Sequence, residues 1–413
     1  MAYFDIGSYP EFLAPLTPCN AAMRRCPVSR EKASHRILIM RVIANGDIVM
    51  GTPLLAALRA AYPEAHLTWM VESSLHDTID ANPFVDSILS WEGLYWKRMM
   101  RRAMYPLWLT KALKFRRELR ERRFDTFISF HPEDWSLLVQ NVGASTRIGV
   151  FDTFRAFHRS TKTSSLRRFY THAFTFEDLP VHRTDQYLLP LRALGLEEGV
   201  SRKAVVGYTA ADRKRVQDFL QQEGVEAGPR RAERLVVLAP LAGWKTRHWP
   251  GERYAELGDR LGEVGCRIVL MGAGKEEADL QKIAARMRVP PILAVGVFNF
   301  RQVFSLIEEA DLLVSGDTGP MHVAGAVDTP YVALFGSTPI EGRAPIVGHG
   351  LPMAHSVDCA PCDRDVCAFA ETDAAYKCMR LLTVEEVFEA SLSLLDSARS
   401  GLEGRVSRSQ TSV

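Results

Sequence analysis

The 413-residue sequence has no apolar run near the roughly 20 residues that a bilayer-spanning helix requires. It has no excess of one charge either: 51 Lys and Arg stand against 49 Asp and Glu, a net charge of +2. Such a balance excludes a wholesale nucleic-acid binder, so an anionic partner must be met by a local patch. The N-terminus, MAYFDIGSYPEFLAPLTPCNAAMRRCPVSREKASHR, lacks the basic start and apolar stretch of a secretory signal. No short-period repeat is visible. Hydrophobic residues make up 47% and charged residues 24%, which excludes a disordered chain or a coiled-coil rod. The expectation is a soluble, cytoplasmic protein, long enough for two domains.

Cysteine is scarce, at seven residues, and unevenly placed. Cys19, Cys26 and Cys266 are scattered and read as free thiols. Cys359, Cys362, Cys367 and Cys378 fall together in CAPCDRDVCAFAETDAAYKC. In a reducing compartment such clustering favours metal over disulfides. Four thiolates suit tetrahedral Zn or Fe, and the competing reading is a set of free thiols or one oxidised pair.

What the sequence does contain is a strand–helix alternation that occurs twice. RILIM (36–40) is a short continuous apolar run, as expected of a strand buried on both faces. A polar turn to Asp47 follows, then a helical pattern stopped by Pro63, then the strands HLTWMVE and DTFISF. After a charged stretch around 197–234 the pattern restarts with the strands RLVVLAP, CRIVLMGAG, DLLVSGD and PYVALFG and the helices between them. The fold expected is α/β: two facing Rossmann-like, doubly wound domains with a cleft between them. The boundaries read as an N-terminal extension 1–35, domains 36–200 and 201–395, and a disordered tail 396–413.

Chemistry-bearing residues collect where strands turn into helices. In SGDTGPMHVAGA, Asp317 and Thr318 can cap the turn, and Gly319 lets the backbone approach a ligand. Free amides there favour a phosphate, while the plain alternative is a tight N-cap. His322 lies one turn on and serves equally well as a packing residue. In GWKTRHWP, Lys245 and Arg247 put two cations at the C-terminal edge of a strand, or else form a solvated basic loop. MGAGKEEADL ends its strand in a turn at Gly272, where Glu276 or Glu277 binds ribose hydroxyls or merely caps the helix. Asp47 is either an N-cap or a general base. From Tyr95 to Arg123, eleven Lys or Arg are interleaved with aromatic residues, a pattern suited to anionic lipid or a phosphorylated acceptor, with RNA as an alternative.

Together these motifs resemble the bacterial ADP-heptose glycosyltransferases, the heptosyltransferase family of lipopolysaccharide core assembly. RILIMRVIANGDIVMGTPLLAALRAAYPEAHLTWMV is similar to the family's opening strand, Gly-Asp turn and helix, and HRTDQYLLPLRALGL to its His-led helix before the linker. The most specific likeness is DLLVSGDTGPMHVAGAVDTPYVALFGSTP, which carries the D-T-G-x-x-H turn and the G-x-T-P strand end. The resemblance spans roughly Arg36 to Leu395. It implies a GT-B fold and inverting transfer that needs no metal for chemistry. ADP-heptose would be the donor, and a glycan or glycolipid the acceptor. By matching positions, Asp47 would be the base, and Thr318 and Gly319 would bind the diphosphate. Asp317 and His322 would complete that turn, and Glu276, after Gly272, would lie near the ribose.

The chain departs from the family at Arg247-His248-Trp249-Pro250, where Lys-x-Trp-Pro is common, so Arg247 takes the Lys position with Lys245 as rival. Residues 1–35 and the basic insert have no clear counterpart. Several relatives carry a similar Cys-x-Pro-Cys pattern, and protein-glycosylating relatives bind iron through it, which implies a structural Zn or Fe here. Other readings keep the donor but change the acceptor to a protein Ser/Thr or a small natural product. A reading of another class is a non-catalytic nucleotide- or glycan-binding protein. Contact with an anionic inner-membrane face is expected, and nucleic acid is not.

Overall fold

A computed structural model describes residues 35–102, 104–130, 142–151, 167–175, 180–226, 228 and 232–410. The readings of the N-terminal extension, Cys19 and Cys26 fall outside the described residues. The chain divides between Val205 and Val206 into two compact units.

The first unit carries a parallel sheet of β1 (Arg36–Met40), β2 (His66–Glu72), β3 (Ser87–Trp91), β4 (Thr126–Ser129), β5 (Thr146–Val150) and β6 (His172–Phe174), ordered β3-β2-β1-β4-β5-β6. β1 is central, with Ile37 opposite Leu67 of β2 and Thr126 of β4. Its alternate side chains supply two different cores, as a period of two dictates. Ile37 and Ile39 pack with Leu54, Leu55 and Leu58 of the helix Asn45–Ala61, whereas Leu38 and Met40 pack with Phe115, Leu119 and Phe127. Gly51, inside that helix, lets it lie against Trp69: a Cβ there would stand 3.2 Å from the indole.

The second unit repeats the plan with β7 (Arg234–Ala239), β8 (Cys266–Gly272), β9 (Ile292–Val295), β10 (Leu312–Gly316), β11 (Tyr331–Leu334) and β12 (Gly350–Met353). The order β12-β11-β10-β7-β8-β9, counted within the unit, is again 3-2-1-4-5-6. In such sheets the chain turns away in opposite directions from the first and fourth strands, and ligands gather at the carboxyl ends beside that switch point. The points lie between β1 and β4 in one unit and between β7 and β10 in the other.

The basic stretch forms two helices, Gly93–Arg101 and Tyr105–Glu121. Trp96 and Phe115 turn inward, their rings 5.5 Å apart and both against Trp91. Tyr105, Leu109 and Leu113, four residues apart on one helical face, point outward at 60, 52 and 53% exposure. No helix among the described residues is long and apolar enough to cross a membrane. The segment read as a disordered tail is helical to Gln410, continuing the helix that starts at Val384. That helix is anchored in the core by Val387, Ala390 and Leu395, and extending an existing helix avoids the cost of a new nucleus.

Candidate active site

In the first unit, Asp47 is the third residue of the helix after β1 and caps nothing: Ala44 occupies the N-cap without a side-chain bond. Its carboxylate instead meets Arg41 at 2.7 Å and accepts a 2.6 Å hydrogen bond from Tyr187 Oη. Burial alone would raise its pKa, but the Arg41 and Arg183 guanidiniums and the Tyr187 bond outweigh it and hold the group well below the usual carboxylate range.

Arg183 and Tyr187 come from the helix Arg183–Leu194, which begins where His182 Nδ1 accepts from Thr184 N and ends at left-handed Gly195. Arg202 fastens this helix through a bidentate pair with Asp185, at 2.8 and 2.7 Å. Sequence reasoning missed Arg41, Arg183 and Tyr187. The available signals were a cation at the end of a buried strand and the i, i+4 spacing in RTDQY, which puts Arg183 and Tyr187 on one helical face.

In the second unit, the loop after β7 makes a 3-10 turn over Lys245–Arg247. Lys245 is exposed, whereas Arg247 lies with its guanidinium carbon 3.9 Å from the centre of the Trp244 ring. Arg247 Nη1 donates to the Asp317 carbonyl at 3.2 Å and stands 3.4 Å from its carboxylate. Asp317 is 3% exposed and is flanked on another side by Arg343 at 3.6 Å.

Thr318 holds the N-cap position of the helix Gly319–Val327, yet its hydroxyl makes no capping bond. Thr318 Oγ1 and Thr338 Oγ1 are buried with no hydrogen-bond partner among the described residues. Free helix amides, a pinned guanidinium and unsatisfied hydroxyls suit a phosphate. Gly316, at the end of β10, is required for this closeness: a Cβ would lie 2.8 Å from the Arg247 carbonyl oxygen. His322 is buried at 5% exposure, one turn into the helix.

Other sequence-selected residues have local tasks. Glu276 accepts from Ala273 N at 2.8 Å, closing its own turn, while Glu277 opens the following helix. Gly272 ends β8, where a Cβ would run into Leu280 and approach the Glu276 carboxylate. The four clustered cysteines lie near one another, with Cys378 buried and Cys359 exposed. Among the described residues, the group whose potential ligand atoms lie within 4.8 Å of one another is His76, Asp77 and Asp80, and no three sulfurs meet that distance. The thiols are near enough to act on one another, because burial chiefly, and the charges of Cys359, Cys362 and Cys367 in addition, push the Cys378 thiol up. A Zn or Fe held here would need these thiolates to close to about 2.3 Å from one ion.

Displacing an anionic group from a sugar calls for a carboxylate to receive the incoming hydroxyl's proton and cations to hold what departs. Two Rossmann-like units with this strand order in one chain are the plan of the GT-B class of glycosyltransferases. Residues 112–372, well over half the chain, match the profile of glycosyltransferase family 9 (heptosyltransferase), and the chain belongs to that family.

It is 24% identical over 300 residues to lipopolysaccharide heptosyltransferase 3 of Escherichia coli, covering 71% of this chain and 81% of that one. It is 24% identical over 345 residues to lipopolysaccharide heptosyltransferase 1 of Pseudomonas aeruginosa, covering 82% and 89%. Its fold is shared with the glycosyl transferase family 9 structure from Veillonella parvula (TM-score 0.70, 21% identity, 88% and 97% covered). It is shared also with ADP-heptose lipopolysaccharide heptosyltransferase II of E. coli (TM-score 0.66, 19% identity, 88% and 99% covered).

Proposed function

We propose that this protein is an inverting transferase that moves heptose from ADP-heptose to a hydroxyl of a lipopolysaccharide-core glycan. The observation that carries the reading is the phosphate-ready turn, where Arg247 is pinned on Trp244 beside Thr318, whose hydroxyl has no partner. The names of the curated relatives supply the sugar and the acceptor class.

In this reading Asp47 takes the acceptor hydroxyl's proton as its oxygen bonds to the anomeric carbon. The bond from that carbon to the diphosphate breaks on the opposite side. Arg247, Lys245, the Thr318 hydroxyl and the backbone amides of Thr318 and Gly319 receive the charge left on ADP. Asp317 keeps Arg247 in place, and Glu276, after Gly272, lies toward the ribose, with His322 behind the turn. A carboxylate as strongly paired as Asp47 is a weak base at rest, so its task falls late, when the hydroxyl has become acidic through bond formation.

The donor is tested by thermal shift with ADP, UDP, GDP and their sugar conjugates. A ligand at about 100 times its Kd adds about 2.7 kcal/mol to the folded state. Selective stabilisation by ADP and ADP-heptose is expected. Preference for UDP or GDP discards the heptose, and no response to any nucleotide favours a non-catalytic role. Product analysis with a core glycan, a Ser/Thr peptide and small hydroxyl compounds separates the acceptor classes.

A peripheral place on the anionic inner face of the inner membrane is supported by the outward stripe Tyr105, Leu109 and Leu113, with Arg98, Arg101, Arg102, Lys114 and Arg120 exposed around it. The protein is expected to sediment with phosphatidylglycerol vesicles at low salt, and Leu109→Ser with Leu113→Ser to lose about tenfold in partitioning. Equal binding by that variant, or a preference for RNA over vesicles, overturns this part.

A further inference from the structure

We propose that the four-cysteine loop is a working part of the donor site. Asp363, which it carries, is the positioning residue that holds Arg343 beside Asp317. The proposal rests on the reading of this turn as the ADP-diphosphate site, and it assigns a task to residues that reading leaves unused.

The loop is tied to the phosphate turn at three places. Arg343 Nη2 donates to Asp363 Oδ1 at 2.7 Å, while Nη1 of the same guanidinium lies 3.6 Å from Asp317 Oδ2. The backbone amides of Cys362 and Asp363 both donate to the Ser337 carbonyl, at 2.9 and 2.6 Å. Thr246, between the cations Lys245 and Arg247, donates its hydroxyl to the Arg364 carbonyl at 2.7 Å and accepts from Ser337 Oγ at 3.1 Å. At Asp363 the backbone has a φ of +49°, in the left-handed region that Asp tolerates better than most residues.

These ties give the loop an electrostatic role. Asp317 is a buried carboxylate immediately before the amides that receive the diphosphate, so its charge opposes the ligand unless cations neutralise it. Arg247 neutralises it from one side and Arg343, with a side chain 11% exposed, from another. A guanidinium is planar and presents several N–H groups, so it can serve two carboxylates at once, whereas an ammonium acts as a point charge. Asp363 thus fixes the orientation in which Arg343 reaches Asp317. The loop thus braces the donor turn.

The test is calorimetric titration of ADP into the full-length protein and its variants. Arg343→Ala is expected to weaken ADP about 30-fold and Asp363→Asn about fivefold, because a buried charge loses its partner in the first case and only its orientation in the second. The double variant should be no weaker than Arg343→Ala alone, since Asp363 acts through Arg343. Asp363→Glu should recover most of the affinity. In turnover, Asp363→Asn should raise KM for the sugar nucleotide and leave KM for the acceptor unchanged, a split that a general loss of folding does not produce.

Wild-type binding of ADP with both single variants binding equally well overturns the proposal and spares the donor reading. Losses that multiply in the double variant also overturn it, by making the two residues independent. A wild-type protein that binds no ADP overturns the donor reading and the proposal together.

Discussion

Replacing Asp47 with Ala is expected to abolish glycosyl transfer while leaving ADP affinity within about twofold of wild type, because the groups proposed to hold the donor belong to the other unit. Loss of a general base costs about a hundredfold to ten-thousandfold in rate. Asp47→Asn is the gentler companion, since an amide retains the shape and a bond to Tyr187 but cannot take the proton.

The charge environment adds a pH signature. Arg41, Arg183 and Tyr187 hold the Asp47 carboxyl below its ordinary value against the opposing effect of burial, so it stays ionised as pH falls through the usual carboxylate range. The acid limb that Asp47 imposes on kcat/KM should therefore lie below about pH 4, and Arg41→Met should move it upward. Linkage gives the same sign for stability. A carboxylate with a depressed folded pKa contributes stability that is present above its unfolded value and is lost as pH falls toward the folded one. Rates and calorimetry on the same preparations decide the matter. If ADP affinity collapses in Asp47→Ala, the residue is structural and the base lies elsewhere.

The second large effect is expected at Arg247. Arg247→Ala should weaken ADP by about 30- to 100-fold, corresponding to about 2–3 kcal/mol for charge-assisted contacts in a partly buried site. Lys245→Ala should cost about threefold, since exposed charges are screened by solvent and salt. Arg247→Lys should recover only part of the loss, because an ammonium cannot reproduce both the stacking on Trp244 and the bond to the Asp317 carbonyl. Equal losses at 245 and 247 would contradict the ranking drawn from their exposure. No loss at either removes the phosphate-clamp assignment.

The fold was legible in RILIM, HLTWMVE, RLVVLAP and DLLVSGD because strands buried on both faces are continuous apolar runs, and all four are central in their sheets. The edge strands Ser87–Trp91, His172–Phe174 and Gly350–Met353 carry too few apolar residues to stand out, and only pairing with a neighbour defines them. The turn at 317–319 was legible as well, since a polar Gly-containing break between a buried strand and a small-residue helix has few structural uses. The surroundings of Asp47 were not, because Arg183 and Tyr187 are separated from it by well over a hundred residues and are united with it only by tertiary packing.

The cysteine arrangement was legible only in part, for a related reason. Spacing fixes which thiols share a loop, but bringing sulfurs together also depends on where the backbone between them is tied, and here its amides are bound to Ser337. At the chain's end, a small polar composition hid a helix that draws its anchorage from apolar residues upstream.

The shared strand order of the two sheets has a consequence for how such an enzyme diversifies. Each unit encloses its own core and carries its candidate site residues on the loops and helix starts that follow its strands. Loops can change there without disturbing the strands beneath. On the proposed assignment, acceptor preference can then drift in residues 35–205 while the nucleotide end of the reaction is kept in residues 206–410, and the reverse. Chimeras joined between Val205 and Val206 should inherit acceptor choice from one parent and leaving-group recognition from the other.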